Sequence, residues 1–137
     1  MRVVPLLVLA IASSIASESF ARCLSYAPTR VTLRGELLER TLPGPPNYKS
    51  IARGDRPETI YFVDLDDAIC VTGKRGGTLN KYSHAGLTEI QLVIPPEYAR
   101  HLSRKRVRAT GLLLGAQTAA QRTPVVMSVK KLVADDD

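Results

Sequence analysis

Arg30-Val31-Thr32-Leu33-Arg34-Gly35-Glu36-Leu37-Leu38 alternates strictly. Val31, Leu33, Gly35 and Leu37 take one face; Thr32, Arg34 and Glu36 take the other. Period two with β-branched residues describes a half-buried strand. The pattern returns at Arg106-Val107-Arg108-Ala109-Thr110-Gly111-Leu112-Leu113-Leu114, and both stretches fit R-V-x-x-x-G-x-L-L. In each the glycine falls midway along the inward face. A small barrel needs long strands that bend sharply, and a glycine or a bulge supplies the bend. The echo is therefore read as a sign of closure, not as a tandem repeat.

Three more strands surround these two. Ile60–Leu65 places Tyr61, Val63 and Leu65 on one face and continues past Asp66 and Asp67 to Val71. Glu89–Ile94 points Ile90, Leu92 and Ile94 inward; Pro124–Val133 does the same with Val125, Met127 and Val129. Between the third and fourth strands, Pro95-Pro96-Glu97-Tyr98-Ala99 opens one short helix, with proline and an acid in its first turn. Gly73–Gly77 is a turn, and 42–57 carries four Pro and two Gly, a long loop. The expected fold is all-β with one short helix, a small five-stranded OB-like barrel in the order β-β-β-α-β-β. A sandwich would want about seven strands.

Composition agrees with a single core. The chain has 137 residues, 45% of them hydrophobic and 23% charged, which suits one folded domain and not a disordered tail. That length excludes a barrel enzyme or a two-domain dinucleotide enzyme. Two Cys exclude a four-Cys zinc site.

Residues 1–21 read as a signal peptide. Arg2 precedes an apolar run from Val3 to Ile15 that is too short to span a bilayer, and Ser19-Phe20-Ala21 forms a small-residue cleavage site. A lipoprotein anchored at Cys23 is disfavoured because Arg22 stands where processing wants a small residue. The expected product is exported, periplasmic or secreted, with no transmembrane segment after cleavage. It spans a barrel domain over 22–134 and a solvated acidic tail over 135–137, and it keeps the net charge of +6. In an oxidising compartment Cys23 and Cys70 are the pair available for a disulfide. Closing that loop of about 48 residues would stabilise the fold by about 4 kcal/mol in the chain-entropy model. The alternative is two buried thiols.

Several segments resemble a known set of bacterial exported domains. They are Cys23-Leu24-Ser25-Tyr26, Pro43-Gly44-Pro45-Pro46-Asn47-Tyr48, Ser50-Ile51-Ala52, Gly54-Asp55-Arg56-Pro57-Glu58, Ile69-Cys70-Val71 and Thr123-Pro124-Val125. The chain resembles the family called domain of unknown function 4431 over about residues 23–129, and that resemblance brings no established activity. Some members sit behind a domain similar to lysozyme inhibitors, for which this sequence has no room. Members often carry His before the Thr-Pro-Val; here the residues are Ala120-Gln121-Arg122, so no metal site carries over.

Candidate chemistry is sparse. His84 and His101 have no acid at ligand spacing, and neither H-E-x-x-H nor G-x-S-x-G occurs. Ser83, His84 and Asp55 form a triad only on paper. Asp64, Asp66 and Asp67 lack the further ligands and fixing glycine of a calcium loop and read as a solvated turn. Gly73-Lys74-Arg75-Gly76-Gly77 lacks phosphate-loop spacing and reads as a flexible turn, its alternative being an anion nest. No catalytic residue, metal or cofactor is expected.

Two binding candidates remain. The first is the loop 43–57, with Asn47, Tyr48, Lys49, Arg53, Asp55 and Arg56; long unstructured loops are often functional. Its plainer reading is that Asp55 and Arg56 pair or cap the loop from within. The second is the basic run Arg100, Arg104, Lys105, Arg106 and Arg108. Arg100 and Arg104 are expected on one helix face and Arg106 and Arg108 on an outward strand face. Basic surface on an OB barrel suggests single-stranded nucleic acid. Stacking aromatics are missing from the first, fourth and fifth strands, and export removes the chain from cytoplasmic nucleic acid. An anionic envelope component or a secreted protein is the better partner, and a plain solvated face is the alternative. The functional expectation is a non-enzymatic binding module of the cell envelope. The alternative is an inhibitor or immunity protein against a secreted hydrolase such as a cell-wall-degrading enzyme.

Overall fold

A computed structural model describes residues 2–3 and 22–136. Apart from Arg2 and Val3, the segment read as a signal peptide lies outside the described residues, as does Asp137. The chain runs β1 (Leu24–Ser25), β2 (Arg30–Pro43), β3 (Pro57–Thr72), β4 (His84–Val93), α1 (Pro96–Ala99), β5 (Arg106–Gly115) and β6 (Val125–Ala134). Two 3-10 turns sit at Ile51–Arg53 and Arg100–Leu102. The five long strands and the helix follow the expected order. The two-residue β1 was not legible, and β2 runs five residues past the alternating stretch, because its second half pairs with β3 all the way to Pro43–Pro57.

Hydrogen bonding closes the strands into a ring. The order is β1-β3-β2-β5-β6-β4, and β4 returns to pair with β3. Long neighbours run antiparallel except β4 and β6, which are parallel. This is the OB-like arrangement. Inside lie Val31, Leu33 and Leu37 of β2, Tyr61 and Val63 of β3, and Ile90 and Leu92 of β4. Val107, Ala109 and Leu113 of β5 and Val125 and Met127 of β6 complete the layer. Ala99 and Leu102 close it near the start of β5, and Tyr26 packs near Gly115 at that strand's end. Each large apolar side chain so buried stabilises the fold by about 1.5–3 kcal/mol.

The two echoed stretches pair with each other. Val31 lies opposite Gly111, and Gly35 lies opposite Val107. A Cβ on Gly35 would stand 1.9 Å from the Asp64 carbonyl oxygen, and one on Gly111 would stand 2.1 Å from that of Ser128. Both glycines thus admit the backbone of the next strand, which is what a tight bend requires. β6 adds a bulge there: Thr110 pairs with Lys131 and Gly111 with Val129, leaving Lys130 over.

Cys23 and Cys70 are bonded, with Cα atoms 4.6 Å apart. β1 lies parallel to the end of β3, Leu24 against Val71, so the N-terminal segment is fixed where the antiparallel β2–β3 pairing brings it.

The acidic tail departs from expectation. Arg34 and Arg108 are opposed across the β2–β5 ladder, a like-charge juxtaposition. Asp135 is buried against both, 3.9 Å from the Arg34 guanidinium and 3.5 Å from Arg108 Nε. Its own N–H donates to the Arg106 carbonyl. The first residue of the tail is therefore a counter-ion of the barrel wall and not a solvated acid.

Candidate functional site

The loop between Pro43 and Pro57 is folded by one carboxylate. Asp55 accepts the N–H groups of Asn47, Lys49 and Ser50 at 2.9, 2.8 and 2.9 Å. It is 5% exposed. The N–H dipoles of Ser50 and Lys49, then that of Asn47, hold its pKa below the ordinary carboxylate range against the opposing effect of burial. Gly54 closes the 3-10 turn at φ +109°, a conformation that favours glycine. Arg56 accepts from Gly44 N–H through its carbonyl and donates its own N–H to Pro45. The internal cap foreseen for Asp55 is present, although its donors are backbone groups and not Arg56. Asn47, Lys49, Arg53 and Arg56 remain exposed, so three cations project from a scaffold whose one anion is turned inward.

A second loop meets the first. Phe62, Gln91 and Val126 form a row of buried side chains adjacent across β3, β4 and β6, and residues 116–124 bond to its middle member. The Gln91 amide donates to the Ala120 carbonyl and accepts the Arg122 N–H. The Gln91 N–H donates to Thr123 Oγ1, whose hydroxyl donates to the Val125 carbonyl at 2.6 Å. Arg40 stacks over Phe62 at 4.7 Å and pairs with Glu89. Arg122 then links the loops: it donates to the Pro43 carbonyl at 2.8 Å, stands 3.6 Å from Glu58 and stacks on the Tyr48 ring at 5.2 Å. The aromatic surface expected of Tyr48 is thus occupied by Arg122.

The segments 43–48, 54–58 and 123–125 converge on this junction. Sequence reading missed Gln91, Arg122 and Glu58 as participants. The Thr-Pro-Val segment was the available signal, since Thr123 is the hydroxyl that ties β4 to the loop.

The basic run is arranged differently from expectation. α1 ends at Ala99 and the 3-10 turn ends at Leu102, while Arg104 adopts φ +63°. Arg100 and Arg104 therefore do not share a helix face. The chain leaves the helix so that Arg104 N–H can reach the Leu37 carbonyl at 2.7 Å, while Leu37 N–H reaches Lys105 at 2.9 Å. Val107 and Ala109 point inward as expected, and Arg106 and Arg108 point out. Arg106 forms a two-armed pair with Asp66, lowering the Asp66 pKa and raising its own. Arg108 faces Asp135. Two of the five cations are thereby matched within the fold.

The other candidates are taken up structurally. Asp55 has three backbone donors and does not orient a histidine, and Ser83 Oγ accepts the Gly73 N–H at 2.8 Å. Lys74 N–H donates to the Asn80 carbonyl, so two N–H groups of the glycine-rich turn have partners. The Asp64–Asp67 cluster lies within β3 at a register shift, not in the solvated turn expected of it. Among the described residues no three His, Cys, Asp or Glu side chains gather as a metal site.

Residues 89–132 match the family described as Domain of unknown function (DUF4431), in agreement with the resemblance read from the sequence. The match runs from β4 through the 116–124 loop into β6 and includes Gln91, Arg122 and Thr123. No curated protein and no solved structure matches the chain.

Proposed function

We propose that the protein is an exported, non-enzymatic binding module of the cell envelope, and that its loop junction takes an anionic partner through Lys49, Arg53 and Arg56. One observation carries this reading: the buried Asp55 carboxylate fixes the loop backbone while the three cations stay exposed. A loop that is ordered before binding has little entropy left to lose on contact. Arg122 adds stiffness by tying this loop to the next. The disulfide and the lack, among the described residues, of a helix long and apolar enough to cross a membrane are compatible with export of a soluble domain.

Capture from envelope extract tests the reading. The disulfide-bonded protein is expected to retain a partner that is lost when Lys49, Arg53 and Arg56 are replaced together by Ser. Unchanged capture by the triple variant would overturn it. A captured secreted hydrolase that loses activity on binding would favour the inhibitor reading instead.

A further inference from the structure

β4 and β6 run side by side for only three register pairs, Gln91–Val126 to Val93–Ser128. Pro95 and Pro96 have no N–H to continue the ladder, and the chain turns into α1. β6 continues to Ala134 paired with β5 alone. Between α1 and this second half of β6 lies an open hollow of about 520 Å³.

Ile94, Tyr98, Val129 and Leu132 line the hollow together with Lys130 and Lys131. Four successive residues of a regular strand cannot all face one way. The bulge at Lys130 breaks the alternation, so that both lysines stand with Val129 and Leu132 among the residues lining the trough. Both lysines are exposed, and among the described residues neither has a carboxylate within 4 Å. Tyr98 is 63% exposed. Bulge and lysines also blunt the free strand edge against an added strand, which argues against an extended peptide as occupant. Glu97 and His101 are the other charged or titratable groups of the lining. With His101 neutral, two lysines against one glutamate leave an excess of one positive charge.

We propose that this hollow binds a single-chain fatty carboxylate, its alkyl chain along Ile94, Tyr98, Val129 and Leu132 and its head between Lys130 and Lys131. The apolar walls answer the chain, and the single excess charge answers a monovalent head. None of these residues belongs to the loop junction, so the two proposals fail or stand separately.

The test is an amide-shift titration of the isotope-labelled, disulfide-bonded protein with dodecanoate below its micelle concentration. Dodecanol and dodecyltrimethylammonium serve as chain-matched controls. Dodecanoate should give saturable shifts at Tyr98 and residues 129–132, with a Kd on the order of 0.1–1 mM. Dodecanol should bind about fivefold more weakly, and the cation should not bind. Replacing Lys130 and Lys131 with Ser should weaken dodecanoate about five- to tenfold without affecting dodecanol. Tyr98→Ala should weaken both. The replaced side chains are exposed, and unchanged spectra elsewhere verify the fold. Absence of saturable shifts, shifts mapping to another surface, equal affinity for dodecanol, or indifference to the lysine replacements would each overturn the proposal. So would binding to anionic vesicles with none to monomeric dodecanoate.

Discussion

At the residue scale, Asp55 does most to shape the candidate site. Three N–H groups converge on its carboxylate, and neutralising it weakens all three bonds at once. Because its folded pKa is lowered, its contribution is fully present above the unfolded value of about 3.9 and is lost as pH falls through the folded one. Amide exchange should therefore find Asn47, Lys49 and Ser50 protected down to the ordinary carboxylate range and opening only below it. In Asp55→Asn the same amides should exchange fast at neutral pH. Equal protection in the variant would show that the loop is held by other contacts. Asp135 makes the contrasting case. Replacing it with Asn leaves Arg34 and Arg108 opposed without a counter-charge. Since both arginines are about half exposed, the loss should be about 1–2 kcal/mol by urea denaturation. The Asp55 cap was legible because its partners lie within eight positions. Asp135 was not, because three terminal acids read as a solvated tail until the β2–β5 register sets two arginines face to face. Arg122 was hidden for a similar reason, its acceptor at Pro43 lying 79 positions away.

At the scale of elements, period two located the five long strands, and the two inward glycines pointed to closure. The alternation could not show how close the neighbouring backbone comes. Gly35→Ala and Gly111→Ala should each cost about 1–3 kcal/mol, since a Cβ at either position meets a carbonyl oxygen that the ladder holds in place. Gly77→Ala, whose nearest neighbour would be 3.6 Å away, should stay within about 0.5 kcal/mol. Urea midpoints should shift in that order with unchanged slopes. If all three shift alike, the glycines are not set by the bend. The helix shows where local reading ended. Spacing four placed Arg100 and Arg104 on one face, but bonds from Leu37 to Arg104 and Lys105 pull the chain out of helical geometry one turn earlier. Such long-range backbone bonds have no local signature.

At the scale of the whole molecule, the disulfide ties the N-terminal segment to a ring of strands that is closed without it. Cys70→Ser should destabilise by about 2–4 kcal/mol while leaving the barrel folded, and alkylation of the denatured, unreduced protein should label neither cysteine. Outside the ring, two loops are braced into one cationic junction through Arg122. The most direct test of that junction is site-specific photo-crosslinking in envelope extract, with a photoreactive residue at Ile51 or Ala52, exposed in the same loop beside the three cations, and, as reference, at the exposed Thr32 of β2. Adducts at positions 51 and 52, absent at 32 and suppressed by raised salt, are the predicted result. No adduct at 51 or 52, or one that forms equally at 32, would contradict the account.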